Sequence, residues 1–257
     1  MSLADPDSPV LAARDIASGL LQLIFPAPCE SCQRPLGPER RSTLCGRCWE
    51  SLERMPAKGC HRCGWPFPDE SGARGVEQPL CARCRERQDD FVLARAPLRY
   101  REDGIARKAI LLCKHGGRLG LLRHLARLLA EEAPTYLTVH DWNALVPVPL
   151  HWTRRWRRGF NQAEVLARAV GRRHGLPVLV RTLVRVRATP PQQGNVEARR
   201  RNVRDAFRAH EAAPIEGRRL LLVDDVFTTG ATANACAHAL IEAGALGVGV
   251  LTLARVE

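Results

Sequence analysis

No stretch of about 18 uncharged apolar residues occurs in the chain, so a membrane-spanning helix is not expected. The most apolar window, 237–254, is interrupted by His238, by Glu242 and by glycines. A shorter apolar run at 16–25 follows Arg14 and Asp15 and has no A-x-A site behind it. It reads as a helix rather than an export signal, and a cytoplasmic location is the expectation. There is no G-x-x-x-x-G-K-[ST], no G-x-G-x-x-G after a strand and no H-E-x-x-H, which argues against a P-loop NTPase, a dinucleotide fold and a zinc-helix protease. Aromatic residues are few, with six Phe, five Trp and two Tyr, and no segment announces a base-stacking pocket. Trp156, Phe160 and Phe227 are candidates for stacking, and each suits a core position as well.

What is present is enough apolar content, 45% of 257 residues, to build one large core or two smaller ones. The formal charge of +12 is unevenly placed. Residues 1–95 carry 13 basic and 13 acidic side chains, whereas residues 151–219 carry 17 basic and 5 acidic ones. The small surplus at 96–150 is cancelled by the acidic end of the chain, so one 69-residue stretch holds the whole excess. Such a stretch attracts a polyanion, either nucleic acid or a phosphorylated small molecule. Arginine supplies 36 of the 39 basic residues, a bias that a GC-rich genome also produces, so the plainer reading is that many of these side chains simply solvate a surface.

Eight of the ten cysteines form four C-x-x-C pairs: Cys29/Cys32, Cys45/Cys48, Cys60/Cys63 and Cys81/Cys84. Each pair puts two thiolates on one tight turn and supplies half of a tetrahedral four-cysteine site. Pro26, Pro28, Gly46, Gly64 and Pro66 crowd the knuckles and permit those turns. A disulfide framework would need an oxidising compartment. A redox pair would use one C-x-x-C at a strand–helix junction, not four in series. Two structural zinc ions are therefore expected. Sequential pairing closes shorter loops than cross-braced pairing and is the favoured order. Two tetrathiolate zinc sites bring residues 1–95 to about −4, which argues against a nucleic-acid-reading finger. Cys113 and Cys236 fall outside the pattern and read as small buried residues.

From about Phe91 onward, helices alternate with strands. Residues 105–129 have helical spacing broken at His115-Gly116-Gly117, and 144–150 is a short strand carrying Pro147 and Pro149. Residues 164–173 are helical and stop at Gly175 and Pro177. Strands are expected at 178–180, 220–223 and 248–253, with a helix at 232–243. This order implies parallel βαβ units.

The densest chemistry lies at Leu220-Leu221-Leu222-Val223-Asp224-Asp225-Val226-Phe227-Thr228-Thr229-Gly230-Ala231-Thr232. A buried strand runs into two carboxylates and then into a small hydroxyl-rich loop that opens a helix. Helix N-terminal amides and threonine hydroxyls suit a phosphate dianion, and Gly230 permits close approach. Carboxylates at a strand's carboxyl end sit where open α/β sheets bind ligands, and they can accept from vicinal ribose hydroxyls directly or through Mg²⁺. The plainer alternative is a strand-to-helix turn capped by Asp and Thr.

These thirteen residues resemble the phosphoribosyl-pyrophosphate (PRPP) signature of type I phosphoribosyltransferases. The wider chain resembles the ComF family of competence-associated proteins within that group. The resemblance is carried by Val146-Pro147-Val148-Pro149-Leu150-His151, Arg158-Gly159-Phe160-Asn161-Gln162, Lys114-His115-Gly116-Gly117, and a stretch with Gln192, Gln193, Arg199, Asn202, Val203 and Phe207. The cysteine pairs are similar to the double zinc ribbon found ahead of many ComF domains. The fold implied is an α/β, parallel-sheet type I phosphoribosyltransferase domain at 91–257, preceded by a small double zinc-ribbon domain with four cysteines per site at 23–90 and an N-terminal helix or extension at 1–22.

By this resemblance Asp224 and Asp225 are the catalytic pair and bind the ribose of PRPP or its Mg²⁺. Thr228, Thr229, Gly230, Ala231 and Thr232 bind its 5′-phosphate. Lys114, Arg158 and Gly159 join the PRPP-binding set, with Arg154, Arg155 and Arg157 facing pyrophosphate. Residues 188–204 take the place of a loop that closes over the site. The reaction implied is displacement of pyrophosphate from ribose C1 by an unidentified nucleobase or amine. The alternative is a PRPP-binding or catalytically idle protein acting in DNA uptake through single-stranded DNA or protein partners, without membrane insertion. One departure stands out: where some purine-salvage members carry an acid in the phosphate loop, this chain has Thr228, which cannot serve as a base.

Overall fold

The computed structural model describes residues 28–36, 43–67, 79–150, 156, 159–186, 206–211 and 213–256. The expected helix at 16–25, the arginines 154, 155, 157 and 158, and the stretch 188–204 lie outside the described residues. The chain divides into two compact units, Met1–Ser51 and Leu52–Glu257. Among its described residues the first contains one short helix, α1 (Gly46–Glu50), which opens directly after Cys45.

The second unit is built on a parallel sheet. Its strands are β1 (Leu93–Arg95), β2 (Leu98–Tyr100), β3 (Ala144–Pro147), β6 (Arg219–Phe227) and β7 (Gly247–Val256). The order is β1-β7-β6-β3, all parallel, with β2 pairing β7 further along the edge that β1 begins. A single parallel bridge, Leu145 to Val178, is what forms where a strand at 178–180 was expected. β4 (Leu183–Arg185) and β5 (Phe207–Ala209) form a separate antiparallel pair. The helices are α2 (Ala82–Arg85), α3 (Ile105–His115), α4 (Leu119–Tyr136), α5 (Gln162–His174) and α6 (Ala231–Glu242). The break between α3 and α4 falls at Gly116 and Gly117, and α5 ends at Gly175 in the left-handed conformation, φ 71°. Among the described residues no helix is long and apolar enough to cross a membrane.

Strands β3, β6 and β7 are apolar on both faces because both are covered, as parallel sheets require. Side chains two apart share a face. Ala144, Val146, Leu220, Leu222, Val248 and Val250 therefore pack in one cluster with Ala235, Cys236 and Leu240 of α6. On the opposite face a Cβ at Gly171 of α5 would approach Leu145, and the ring of Trp142 lies over Gly249. Cys113 and Cys236 are both buried, as expected of small core residues.

Gly249 is what allows Trp142 to lie against β7. A Cβ there would come within 2.5 Å of Trp142 Cη2 and 3.0 Å of Leu221 Cδ1. Since neither group can move far in a closed core, Gly249→Ala is expected to cost about 1–3 kcal/mol by overpacking. The measurement is a lowered urea midpoint with unchanged slope.

Candidate functional site

The two cysteine clusters repeat one construction. In the first, Cys29 and Cys32 sit on a knuckle closed by Gln33 N donating to Cys29 O at 2.8 Å, and Cys45 and Cys48 flank the start of α1. In the second, Gly64 N donates to Cys60 O at 2.8 Å, and Cys81 and Cys84 flank the start of α2. The residue after each knuckle has positive φ, 60° at Gln33 and 69° at Gly64. Gly46 plays no such part, being an ordinary first residue of α1. The pairing is sequential: Cys29, Cys32, Cys45 and Cys48 form one group, and Cys60, Cys63, Cys81 and Cys84 the other, with sulfurs within 4.8 Å of one another in each.

Zinc fits both groups. Tetrahedral Zn–S bonds near 2.3 Å place ligand sulfurs about 3.8 Å apart. The Cys32–Cys45 and Cys63–Cys81 sulfur separations are 3.6 and 3.7 Å. Backbone amides of Cys45 and Cys81 donate to Cys29 Sγ and Cys60 Sγ at 3.3 Å, as they would to thiolates. Burial resists ionisation of Cys29, yet backbone amides of residues 31, 32 and 45 bring its thiol down to about 6. A hydrogen bond from Cys63 leads the groups that bring Cys60 down to about 4. Burial, reinforced by neighbouring sulfurs, pushes Cys48 up to about 12, and burial likewise raises Cys84 to about 12. Four thiols in one pocket cannot all ionise without a cation to hold them.

The second site is at the carboxyl end of β6, where the ladder with β7 continues through Asp224, Val226 and Phe227. Strand alternation sends Asp224 toward the α6 face and Asp225 toward the other. Asp225 meets Lys114 Nζ, from the last turn of α3, at 2.9 Å, and its amide donates to Asp224 Oδ1 at 2.8 Å. Burial, together with the Asp225 charge, pushes the Asp224 carboxyl up to about 7 although Lys114 and Arg185 oppose the shift. The same burial, with the Asp224 charge nearby, raises the Cys236 thiol well above its usual range and keeps it inert.

Beyond Phe227 the chain turns through Thr228, Thr229 and Gly230 into α6. Gly230 has φ 81°, and a Cβ there would meet the Phe227 ring at 2.8 Å. No side chain caps α6 at Gly230, and Thr229 Oγ1 reaches the Ala231 amide only at 3.4 Å. The helix therefore offers amides to an anion. Thr228 is exposed, and Thr229, Ala231 and Thr232 are half-buried.

Gly159 is exposed with φ 75°, in the turn ahead of α5. Asn161, two residues on, accepts from Ala163 N at 3.1 Å and donates to Val148 O at 3.0 Å, while Val148 N donates to Val223 O at 2.9 Å. The turn containing Gly159 is thereby tied to the same end of the sheet as Asp224. Arg158 lies outside the described residues. Of the stacking candidates, Phe227 is core, edge-on to Phe91 at 5.9 Å, whereas Trp156 is 86% exposed.

Three contacts at this loop had no counterpart in the sequence reading. Arg87 Nη1 donates to Thr229 O at 3.2 Å, Asp90 N donates to Asn234 Oδ1 at 2.7 Å, and the Arg255 guanidinium lies 4.8 Å from the Phe227 ring centre. Only Arg255 left a signal, as the single charge in the otherwise uncharged strand β7.

Two predictions arise here. Metal analysis should find two zinc ions per chain, and Cys60→Ser should leave one. Because thiols must lose protons to bind, zinc should be released as pH falls below neutrality. Asp224, with its carboxyl raised from 3.8 to about 7, holds a proton in the folded state that the unfolded state has lost. Stability should therefore fall as pH rises between those values. Asp224→Asn should remove that slope and stabilise the ligand-free protein more at pH ~8 than at pH ~5 in urea unfolding.

Residues 20–86 match the double zinc ribbon domain family. The chain is similar to the DNA utilization protein YhgH of Salmonella typhi, 32% identical over 241 residues that span 91% of this chain and 99% of that one. It is also similar to competence protein F of Haemophilus influenzae, 39% identical over 144 residues, 52% of this chain and 60% of that one. Among solved structures it is similar to a glutamine PRPP amidotransferase from B. subtilis complexed with ADP and GMP, with 24% identity and a TM-score of 0.34, over 50% of this chain and 25% of that one. With a full-length relative at that identity and the double ribbon in place, the chain belongs to the ComF family of competence-associated proteins.

Proposed function

We propose that this ComF family chain binds PRPP at the carboxyl end of β6 and is a Mg²⁺-dependent phosphoribosyltransferase toward a nitrogen acceptor. The observation that carries the reading is the meeting of Lys114 with Asp225 at 2.9 Å, just ahead of a helix whose N-cap, Gly230, has no side chain to occupy its amides. Two sequence segments that resemble PRPP-binding motifs thus supply one cation, two carboxylates and a phosphate-sized loop to one place.

In this reading the amides and hydroxyls of Thr228, Thr229, Gly230, Ala231 and Thr232 hold the 5′-phosphate. Asp224 and Asp225 accept from the ribose hydroxyls and fix the sugar's orientation. Their oxygen-only donor set also suits a hard cation, and Mg²⁺ when bound supplies charge neutralisation to the pyrophosphate oxygens. Lys114 has a carboxylate partner in the free protein and gains a second anionic neighbour when pyrophosphate charge develops beside it. A cation placed there favours the separated charge of the transition state over the ground state. Arg158 and its neighbouring arginines add to that effect. The bond broken joins ribose C1 to pyrophosphate, and the bond formed joins C1 to the acceptor nitrogen. Thr228 is no base, so the acceptor must arrive with its nucleophilic nitrogen already unprotonated or lose its proton to another group.

A second reading is supported by the names of the relatives and by the basic balance of residues 151–219. In it the chain is a PRPP-binding or catalytically idle protein that acts in DNA uptake through single-stranded DNA or protein partners.

Calorimetric titration with Mg²⁺-PRPP tests the first. Micromolar binding that is lost in Asp224→Asn/Asp225→Asn and weakened about tenfold or more in Lys114→Met is the expected outcome. No binding at millimolar PRPP, in zinc-loaded folded protein, would sink both PRPP readings. Pyrophosphate release in an acceptor screen separates turnover from idle binding, and a steep fall of DNA affinity with salt is the signature of the second role.

A further inference from the structure

Arg255 is 4% exposed, and among the described residues no carboxylate forms an ion pair with it. A buried guanidinium needs a counter-charge. What surrounds it is the second cysteine cluster: Nη1 donates to Cys63 O at 2.5 Å and Nη2 reaches Cys63 Sγ at 3.6 Å. A zinc tetrathiolate carries a formal charge of about −2 and supplies the missing anion. The guanidinium also lies over two rings, 5.3 Å from the centre of Trp65 and 4.8 Å from that of Phe227. Phe227 is its partner across the β6–β7 ladder, and the same ring stands against Gly230.

A second chain of contacts runs beside the first. Arg62 Nη1 donates to Cys84 O at 2.9 Å and to Arg87 O at 2.5 Å. The Arg87 guanidinium then holds Thr229 O. A narrow cavity of about 20 Å³ lies between the cluster and the loop, lined by Cys63, Trp65, Arg87, Phe91, Phe227 and Thr229 among others. Both ends of the loop's central pair, Thr229 and Gly230, are therefore braced from the cysteine centre.

We propose that Arg255, assisted by Arg87, is a positioning residue that couples the metal centre of Cys60, Cys63, Cys81 and Cys84 to the conformation of the loop Thr228, Thr229 and Gly230. Loss of the anionic centre leaves a buried guanidinium without its counter-charge, and the Phe227 ring loses the group that fixes it under Gly230. The functional consequence, control of phosphate affinity by zinc loading, rests on the PRPP reading; the coupling itself does not.

The test is hydrogen–deuterium exchange of the full, zinc-loaded chain without ligand, following the loop-anchored amides of Ala231 and Asn234, which donate to Thr229 Oγ1 and Gly230 O, and, as internal control, 220–223 in the core of β6. In Arg255→Gln the loop amides should exchange about tenfold faster while the β6 core is unchanged. Loop exchange equal to wild type, with the core protected, overturns the proposal. If Arg255→Gln does not fold, Phe227→Leu keeps the guanidinium and the ribbon contacts and is held to the same two outcomes. Stepwise zinc removal from the wild-type chain should loosen the loop before the core; loosening of both together overturns the coupling. Failure of the wild-type chain to bind Mg²⁺-PRPP would overturn the functional reading instead and would leave the exchange result standing.

Discussion

Two adjacent carboxylates at the end of a buried strand are expensive to keep away from water, and much of the second unit is arranged around that cost. The ladder between β6 and β7 continues past the apolar residues and carries Asp224 opposite Thr252 instead of releasing it into a loop. One carboxylate is balanced by Lys114, brought from α3. The other is left with its charged form disfavoured by burial and by Asp225, against which Lys114, the Asp225 amide and Arg185 work only in part. A protein selected for stability alone would replace such a pair, which is why strain of this kind points to ligand chemistry.

The cysteine centres solve a related problem with the opposite sign. Each gathers four groups that repel one another once ionised, and each is shaped so that a divalent cation removes the conflict. In the second centre the remaining negative charge is placed beside two arginines, half-buried Arg95 and buried Arg255. Arg95 donates to His61 O at 2.8 Å, and its charge is favoured by Cys60 and Cys63 although burial opposes it. Arg255 stands on the same cluster. Charges that would each be unfavourable alone form a neutral group when assembled.

The cysteine centres were legible because they are local in sequence: C-x-x-C spacing keeps each pair of sulfurs on one turn, and in the same way the run from Leu220 to Thr232 announces a buried strand leading through two carboxylates into a helix. The break between α3 and α4 was legible for the same reason, in two glycines side by side. What escaped was decided at a distance. The end of β6 read as Val223 because Asp224 and Asp225 look like a strand's end; pairing with β7 overrides that local preference. The edge strands β1 and β2 are three residues each and are interrupted at Pro97, too short for an alternating pattern to register. A strand at 178–180 has suitable residues, yet only Val178 finds a ladder partner in Leu145. The roles of Arg87 and Asp90 depend on residues about 140 positions away and leave no local mark.

The two four-cysteine modules share a plan down to the positive φ after the first pair. Yet the division into compact units falls between the modules, at Ser51 and Leu52, and the second module is joined to the sheet through Arg255. The unit that the cysteine pattern repeats and the compact unit of the fold are thus different pieces of chain. A chain begun at Leu52 would keep one complete module together with everything braced on it. One begun at Phe91 would lose Arg87 and Asp90 and strand Arg255 without an anion, even though no residue of the sheet had been removed.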